Sequence, residues 1–327
     1  MHDSYTRRAW LAAAGSAAVL SRSKAQAASV KDMRGAFIIL STPYTSSKAV
    51  DWEDLNGEVD FLDRCGVHGL VWPQLSSELL QLTKDERMHG MEVLARANRG
   101  KKPALVFGVQ GDDTEEMLEY ASHAEKLAPD ALIAIPPKKA KSLDDYHHYF
   151  GELCKLTRRP VFIQTSGGAP AVEPTVEFIL AMSREFPNFG YVKEEHVPVI
   201  PRMRALVAKR PDPVKRVFGA NFGNGWLYEM RLGSDGVITG GAMYGDIYAR
   251  LWNSHVENRI EEARDLYSKL LLMLNLDSDI PGTRLYILKK RGIFKTTVSR
   301  QRQRELTAEE IAEIEYRFAA LKPYLRV

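Results

Sequence analysis

Phe189-Gly-Tyr-Val-Lys-Glu-Glu-His196 puts a lysine at the end of an apolar run. Phe189 to Val192 reads as a short buried strand, and three ionisable residues directly follow Lys193. A buried ammonium loses hydration, which lowers its pKa. Such a lysine becomes an amine nucleophile toward carbonyl compounds. Alternatively, a lysine at a strand end snorkels to the surface and does no chemistry. The choice depends on where the strand ends gather, and the rest of the chain bears on that.

From residue 34 onward, short β-rich apolar runs alternate with amphipathic helical stretches. The expected strands are Ala36–Leu40, Gly69–Trp72, Ala104–Val109, Ala131–Ile135, Val161–Gln164, Gly190–Lys193, Arg216–Ala220 and Gly236–Thr239. The expected helices are Asp54–Cys65, Lys84–Asn98, Thr114–Leu127, Leu143–Thr157, Pro174–Glu185 (with Pro in the first turn) and Val199–Lys209. Thr83-Lys-Asp-Glu86 is a capping box that opens the second of these. The strands recur roughly every 30 residues, with a helix after nearly every one. They are continuous apolar runs, as parallel strands covered on both faces should be. The pattern predicts an α/β fold, a (β/α)8 TIM barrel over residues 34–245. An open doubly wound sheet is the runner-up, but it calls for a glycine-rich phosphate loop after an early strand, and none is present. Residues 246–327 read as a C-terminal helical extension: one or two helices in Ile247–Asn275, then Gly282–Lys290 and Thr307–Lys322, the last opened by the capping box Thr307-Ala-Glu-Glu310. In a barrel the strand ends line one rim, where catalytic residues sit. Lys193, at the end of strand six, belongs to that rim.

Composition excludes several classes. The chain of 327 residues is 45% hydrophobic and 27% charged, which is ordinary for a globular protein. A net charge of +3 without a dense basic block gives no case for nucleic acid. Cys65 and Cys154 form neither a CxxC pair nor a Cys/His cluster, so no metal site is expected, and both read as small buried side chains. The N-terminus carries Thr6-Arg7-Arg8-Ala9-Trp10-Leu11, a weakly apolar run to Leu20, Arg22 and Lys24, then the small-x-small site Ala25-Gln26-Ala27. This resembles a twin-arginine export signal over residues 1–27, and it predicts a periplasmic or exported mature protein that starts near Ala28. Its apolar run is too short to span a bilayer, and no later stretch is apolar enough.

The barrel, its helical tail and the lysine that ends strand six resemble the dihydrodipicolinate synthase / N-acetylneuraminate lyase family of class I aldolase-type enzymes. Gly35 through Thr42-Pro43-Tyr44 is similar to the family's first strand and its "TPF" turn. Gln74-Leu-Ser-Ser-Glu78 stands where the family has "GTTGE", and Leu82-Thr-Lys-Asp-Glu86 follows where it has "L…E". Gly190-Tyr-Val-Lys-Glu194 matches the Schiff-base stretch "GIKE", Phe218-Gly219 the seventh strand, and Gly236-Val-Ile-Thr-Gly240 the eighth-strand "GVIS". The resemblance implies a Schiff base at Lys193, with Gln164 and Tyr44 at catalytic positions. It implies substrate contacts at Ser76, Leu75, Thr165, Gly219, Ile238 and Lys138. It also implies a small-molecule 2-oxo acid substrate, no cofactor, and a homodimer or homotetramer.

The departures are as informative. One hydroxyl of "TT" is lost, because those places hold Leu75 and Ser76. The acid/base tyrosine of the family's "YN" pair is Gln164, and an amide cannot shuttle protons as a phenol can. The "PYY" after strand four reads Pro136-Pro137-Lys138, and the expected arginine falls near Ala169. A Schiff-base lyase or aldolase of a 2-oxo acid, possessing a retuned proton relay, is therefore expected in place of dihydrodipicolinate synthesis proper. Groups available to move protons are Tyr44, Glu194, Glu195, His196, Lys138 and water. Four of these have a plainer role: Tyr44 as a core wedge, Glu194 as an ion-pair partner, His196 and Lys138 as solvated loop residues; Ser76, a donor to a carboxylate, also reads as a helix cap. Asn221, at the end of strand seven, can bond a sugar-like hydroxyl. The alternative function is an exported, non-catalytic or small-molecule-binding barrel that has lost imine chemistry.

Overall fold

The computed structural model describes residues 31–301 and 304–327; the export signal expected at residues 1–27 lies outside them. Eight parallel strands close into a barrel in chain order. They are β1 (Gly35–Ile39), β2 (Gly69–Trp72), β3 (Ala104–Gly108), β4 (Ala131–Ala134), β5 (Val161–Gln164), β6 (Tyr191–Lys193), β7 (Arg216–Gly219) and β8 (Gly236–Thr239). Alternate side chains face opposite sides of each strand. Phe37, Phe162, Phe218 and Ile238 fill the barrel interior, whereas Ile38, Ile163, Val217 and Val237 face the helices. Phe218 meets Phe37 and Phe162 edge-on, with centroids 5.1 and 5.5 Å away, so aromatic rings floor the mouth.

The helices are α1 (Trp52–Cys65), α2 (Lys84–Ala97), α3 (Thr114–Lys126), α4 (Leu143–Leu156), α5 (Val176–Glu185), α6 (Val199–Val207), α7 (Trp226–Leu232) and α8 (Gly245–Val256). Their starts follow from the sequence. Asp51 accepts from the N–H groups of Glu53 and Asp54, and full capping boxes form at Thr83–Glu86 and Ser142–Asp145. Each such cap contributes about 1 kcal/mol. Two helices differ from expectation. Thr175 caps α5, so Pro174 lies outside the helix and not in its first turn. The short α7 opens at Gly225 without a side-chain cap, which is why no start signal was visible. The single-or-double stretch Ile247–Asn275 is two helices, α8 and α9 (Ile260–Leu274), and α8 packs on β1 and α1. Cys65 and Cys154 are both buried and free.

Beyond α10 (Leu276–Asp279) and α11 (Thr283–Lys290), the tail crosses the first two rim loops. The Lys295 N–H donates to Asp54 (2.8 Å), Thr296 Oγ1 donates to the Tyr44 carbonyl (2.5 Å) and Ser299 Oγ donates to Glu78 (2.6 Å). Arg300 grips Glu86 with two nitrogens at 2.8 and 2.7 Å. The final helix, α12 (Ala308–Ala319), packs on α9. No helix among the described residues is long and apolar enough to cross a membrane.

Candidate active site

Strand register builds the site. Gln164 and Lys193 are partners across β5 and β6, both pointing into the mouth above the aromatic floor. Lys193 is 5% exposed, and its Nζ donates to Gln164 Oε1 at 2.8 Å. Glu195 Oε2 stands 3.4 Å from the same nitrogen. Ser166 Oγ donates to Glu195 Oε2 at 2.7 Å, and Gln164 Nε2 lies 3.3 Å from Ser166 Oγ. Four side chains thus close a ring: Lys193, Gln164, Ser166, Glu195. Burial holds the Lys193 amine below its ordinary pKa, with Glu195 opposing in part. Burial by itself would raise the Glu195 carboxyl. The Lys193 charge outweighs it, with help from Ser166 and the Asn221 N–H, and holds Glu195 below the ordinary range.

The neighbouring rung faces the other way. Thr165 Oγ1 donates to Glu194 Oε1 at 2.8 Å and accepts the N–H groups of Glu195 (2.8 Å) and His196 (3.0 Å). Glu194 is fully buried and pairs with Arg202 Nε at 3.2 Å. Arg202 in turn binds Glu173 at 2.7 Å. His196 stands 3.5 Å from Glu173 at the edge. Glu194 therefore takes its ion-pair role, on the helix side of the rim.

Other expected residues lie around this centre. Ser76 sits in a 3-10 turn, Leu75–Ser77, capped by Gln74 and not by Ser76 itself. A Cβ added to Gly240 would meet Ser76 Oγ at 2.6 Å, so the β8 loop presses on that hydroxyl. Leu75, 41% exposed, lies beside Gly167 and Ile135. Lys138 is exposed, at a cavity of about 260 Å3 that Leu75 and Gly167 share. Tyr44 is buried, Arg300 covers its ring at 4.7 Å, and its hydroxyl has no hydrogen-bond partner. Burial, then Glu78, pushes that phenol above its ordinary pKa, so it stays neutral. Ile238 belongs to the interior layer, and the space a Gly219 side chain would need is filled by Glu229. A second cavity of about 490 Å3 opens between the barrel and the tail, lined by Ser41, Thr42, Ser76, Ser278 and Arg284 among others. Ser166 and the Arg202 clamp were not foreseen. Period-two alternation continued past the strand ends would have found Ser166. Among the described residues no group of three or more His, Cys, Asp or Glu could hold a metal ion.

A closed parallel (β/α)8 barrel with a buried lysine at the end of its sixth strand defines the class structurally. The chain belongs to the dihydrodipicolinate synthetase family of lyases, whose model matches residues 32–314. It is 27% identical over 272 residues to the 4-hydroxy-tetrahydrodipicolinate synthase of Chlorobium phaeobacteroides, across 82% of this chain and 90% of the relative. It is 26% identical over 234 residues to an uncharacterized DapA-like lyase of Pyrococcus abyssi, across 71% and 78%. The crystal structure of dihydrodipicolinate synthase from Rhodopseudomonas palustris superposes with a TM-score of 0.79 at 20% identity, covering 88% of this chain and 97% of that one. At that identity the likeness carries the fold alone.

Proposed function

We propose that the protein is a Schiff-base-forming lyase or aldolase of a 2-oxo acid, and that dihydrodipicolinate synthesis proper is not its reaction. The observation that carries this is Lys193 itself: a buried amine with its pKa lowered, held by the Gln164 amide oxygen and facing the Glu195 carboxylate, in the mouth of the barrel. An iminium at Lys193 draws electrons from the adjacent carbon–carbon bond, which permits cleavage, condensation or dehydration. Gln164 at the position of the family's tyrosine, and Leu75 in place of a hydroxyl, speak against the synthase reaction. The hydroxyl-rich cavity beside Ser76 suits a polyhydroxylated chain such as that of a sugar acid. The leader at residues 1–27 supports action in the periplasm; replacing Arg7 and Arg8 by lysine should hold the protein in the cytoplasm.

Borohydride trapping tests the chemistry. Pyruvate and longer 2-oxo acids should add mass to the intact protein, and Lys193→Ala should abolish the increment. No increment with any 2-oxo acid, in folded protein, would favour a binding barrel without imine chemistry.

A further inference from the structure

We propose that Glu195, held by Ser166, is the proton-transfer residue of this site. The inference rests on Lys193 being the imine-forming amine. The structure removes the other side-chain candidates. Glu194 is tied to Arg202 behind the rim, His196 stands against Glu173, Tyr44 lies under Arg300, and Lys138 is exposed. Gln164 touches Nζ but has no proton to exchange. Glu195 Oε2 is the remaining ionisable group at the amine, 3.4 Å away. Its placement is built by Ser166, whose Oγ donates to it at 2.7 Å, and the Asn221 backbone N–H of the β7 loop adds to what holds its carboxyl ionised. Asn221 and Phe222 there hold φ values of 49° and 52°, a left-handed pair that non-glycine residues rarely adopt.

The proton inventory closes. The Glu195 carboxylate takes one proton from the Lys193 ammonium, leaving a neutral amine whose lone pair attacks the C2 carbonyl carbon. The C=O π pair moves to oxygen, and Glu195 returns the proton there. Glu195 then takes a second proton from the nitrogen of the carbinolamine and delivers it to the hydroxyl. Water departs with the C–O pair, the nitrogen lone pair forms the C=N bond, and Glu195 ends as the carboxylate it began as. Ser166 is a positioning residue that keeps the shared oxygen on the amine.

The test compares wild type with Glu195→Gln, Glu195→Ala and Ser166→Ala in full-length purified protein, each checked for an unchanged urea midpoint. The rate of borohydride-trapped pyruvate adduct should fall about 10²- to 10⁴-fold in both Glu195 variants. Added formate should restore Glu195→Ala in proportion to its concentration, and Ser166→Ala should show a smaller loss. A wild-type trapping rate in both Glu195 variants, or a loss in Glu195→Ala that formate does not restore, overturns the proposal. Reductive methylation of Lys193 by formaldehyde and cyanoborohydride separates the two claims, since it forms an imine at the same amine without a 2-oxo acid. Should no 2-oxo acid be trapped while methylation still depends on Glu195 and formate, the 2-oxo acid function falls and Glu195 stands. Methylation that ignores Glu195 overturns the role of Glu195.

Discussion

The inner and outer faces of the β5–β6 rim carry similar groups under opposite conditions. Inside, Lys193 and Glu195 stand 3.4 Å apart, and the Glu195 side chain keeps 26% of its exposure. Outside, Glu194 has no exposure at all, and Arg202, Thr165 and the His196 N–H converge on one of its oxygens. The outer pair is closed and neutralised, as a buried ion pair must be if it is not to destabilise the fold. The inner pair faces the mouth, and only the Gln164 amide and the Glu195 carboxylate hold its amine. The two pairs differ in what closes them: the carboxylate behind the rim meets a guanidinium and the carboxylate inside it meets an ammonium and a hydroxyl.

The largest stability effect should come from breaking the outer face. Arg202→Met leaves the Glu194 charge buried without its guanidinium. It should lower the unfolding free energy by about 3–5 kcal/mol in urea titration. Borohydride trapping by the folded fraction should stay within about twofold of wild type. A neutral Arg202→Met would erase the distinction between the faces. A trapping loss larger than the stability loss would make Arg202 part of the chemistry.

A third carboxyl sharpens the contrast, because it faces outward with no partner. Glu229 of α7 fills the space under Gly219, where an added Cβ would meet Oε2 at 1.8 Å. That oxygen has no hydrogen-bond partner, and burial pushes the group up to about 7 from 4.5. The folded state therefore keeps the Glu229 proton up to about pH 7, whereas the unfolded chain releases it near pH 4.5. Below the unfolded value the group costs nothing; stability is lost as pH rises between the two values and is level above them. Glu229→Gln should match wild type near pH 4.5 and exceed it by at most about 3 kcal/mol at pH 8. Urea midpoints at the two pH values decide it; an equal difference at both would show that Glu229 does not titrate in this window.

The barrel was readable because its parallel strands are buried on both faces and so appear as unbroken apolar runs. Lys193 stood out for the same reason, as the one charge ending such a run. Glu194 and Glu195 are separated by the same alternation that finds Ser166: continued past Lys193, it puts Glu195 inside and Glu194 outside. Which of Arg202 and Arg204 would reach Glu194 depended on the rotation of α6 against the barrel, which neighbouring spacings do not specify. The cover on Tyr44 was beyond local reading altogether, because Arg300 arrives from the far end of the chain. Long-range closure of this kind leaves no periodic trace.

Thr165 joins the two faces and should give the smallest effect and the most discriminating one. Family resemblance makes it a substrate contact, yet its hydroxyl is committed to Glu194 Oε1 and to the N–H groups of Glu195 and His196. Thr165→Val keeps the shape and removes that joint. The Glu195 N–H loses its acceptor, while the His196 N–H retains Glu194 at 2.8 Å. One orphaned buried donor costs about 1–3 kcal/mol. Trapping should slow several-fold at saturating pyruvate, because the backbone that aims the Glu195 carboxylate is freed. Thr165→Ser should restore stability and rate together. A rise in the pyruvate concentration needed, with the saturated rate unchanged, would assign the hydroxyl to the substrate. A stability loss alone would mean that the inner face holds its geometry through Ser166 without help from the outer one.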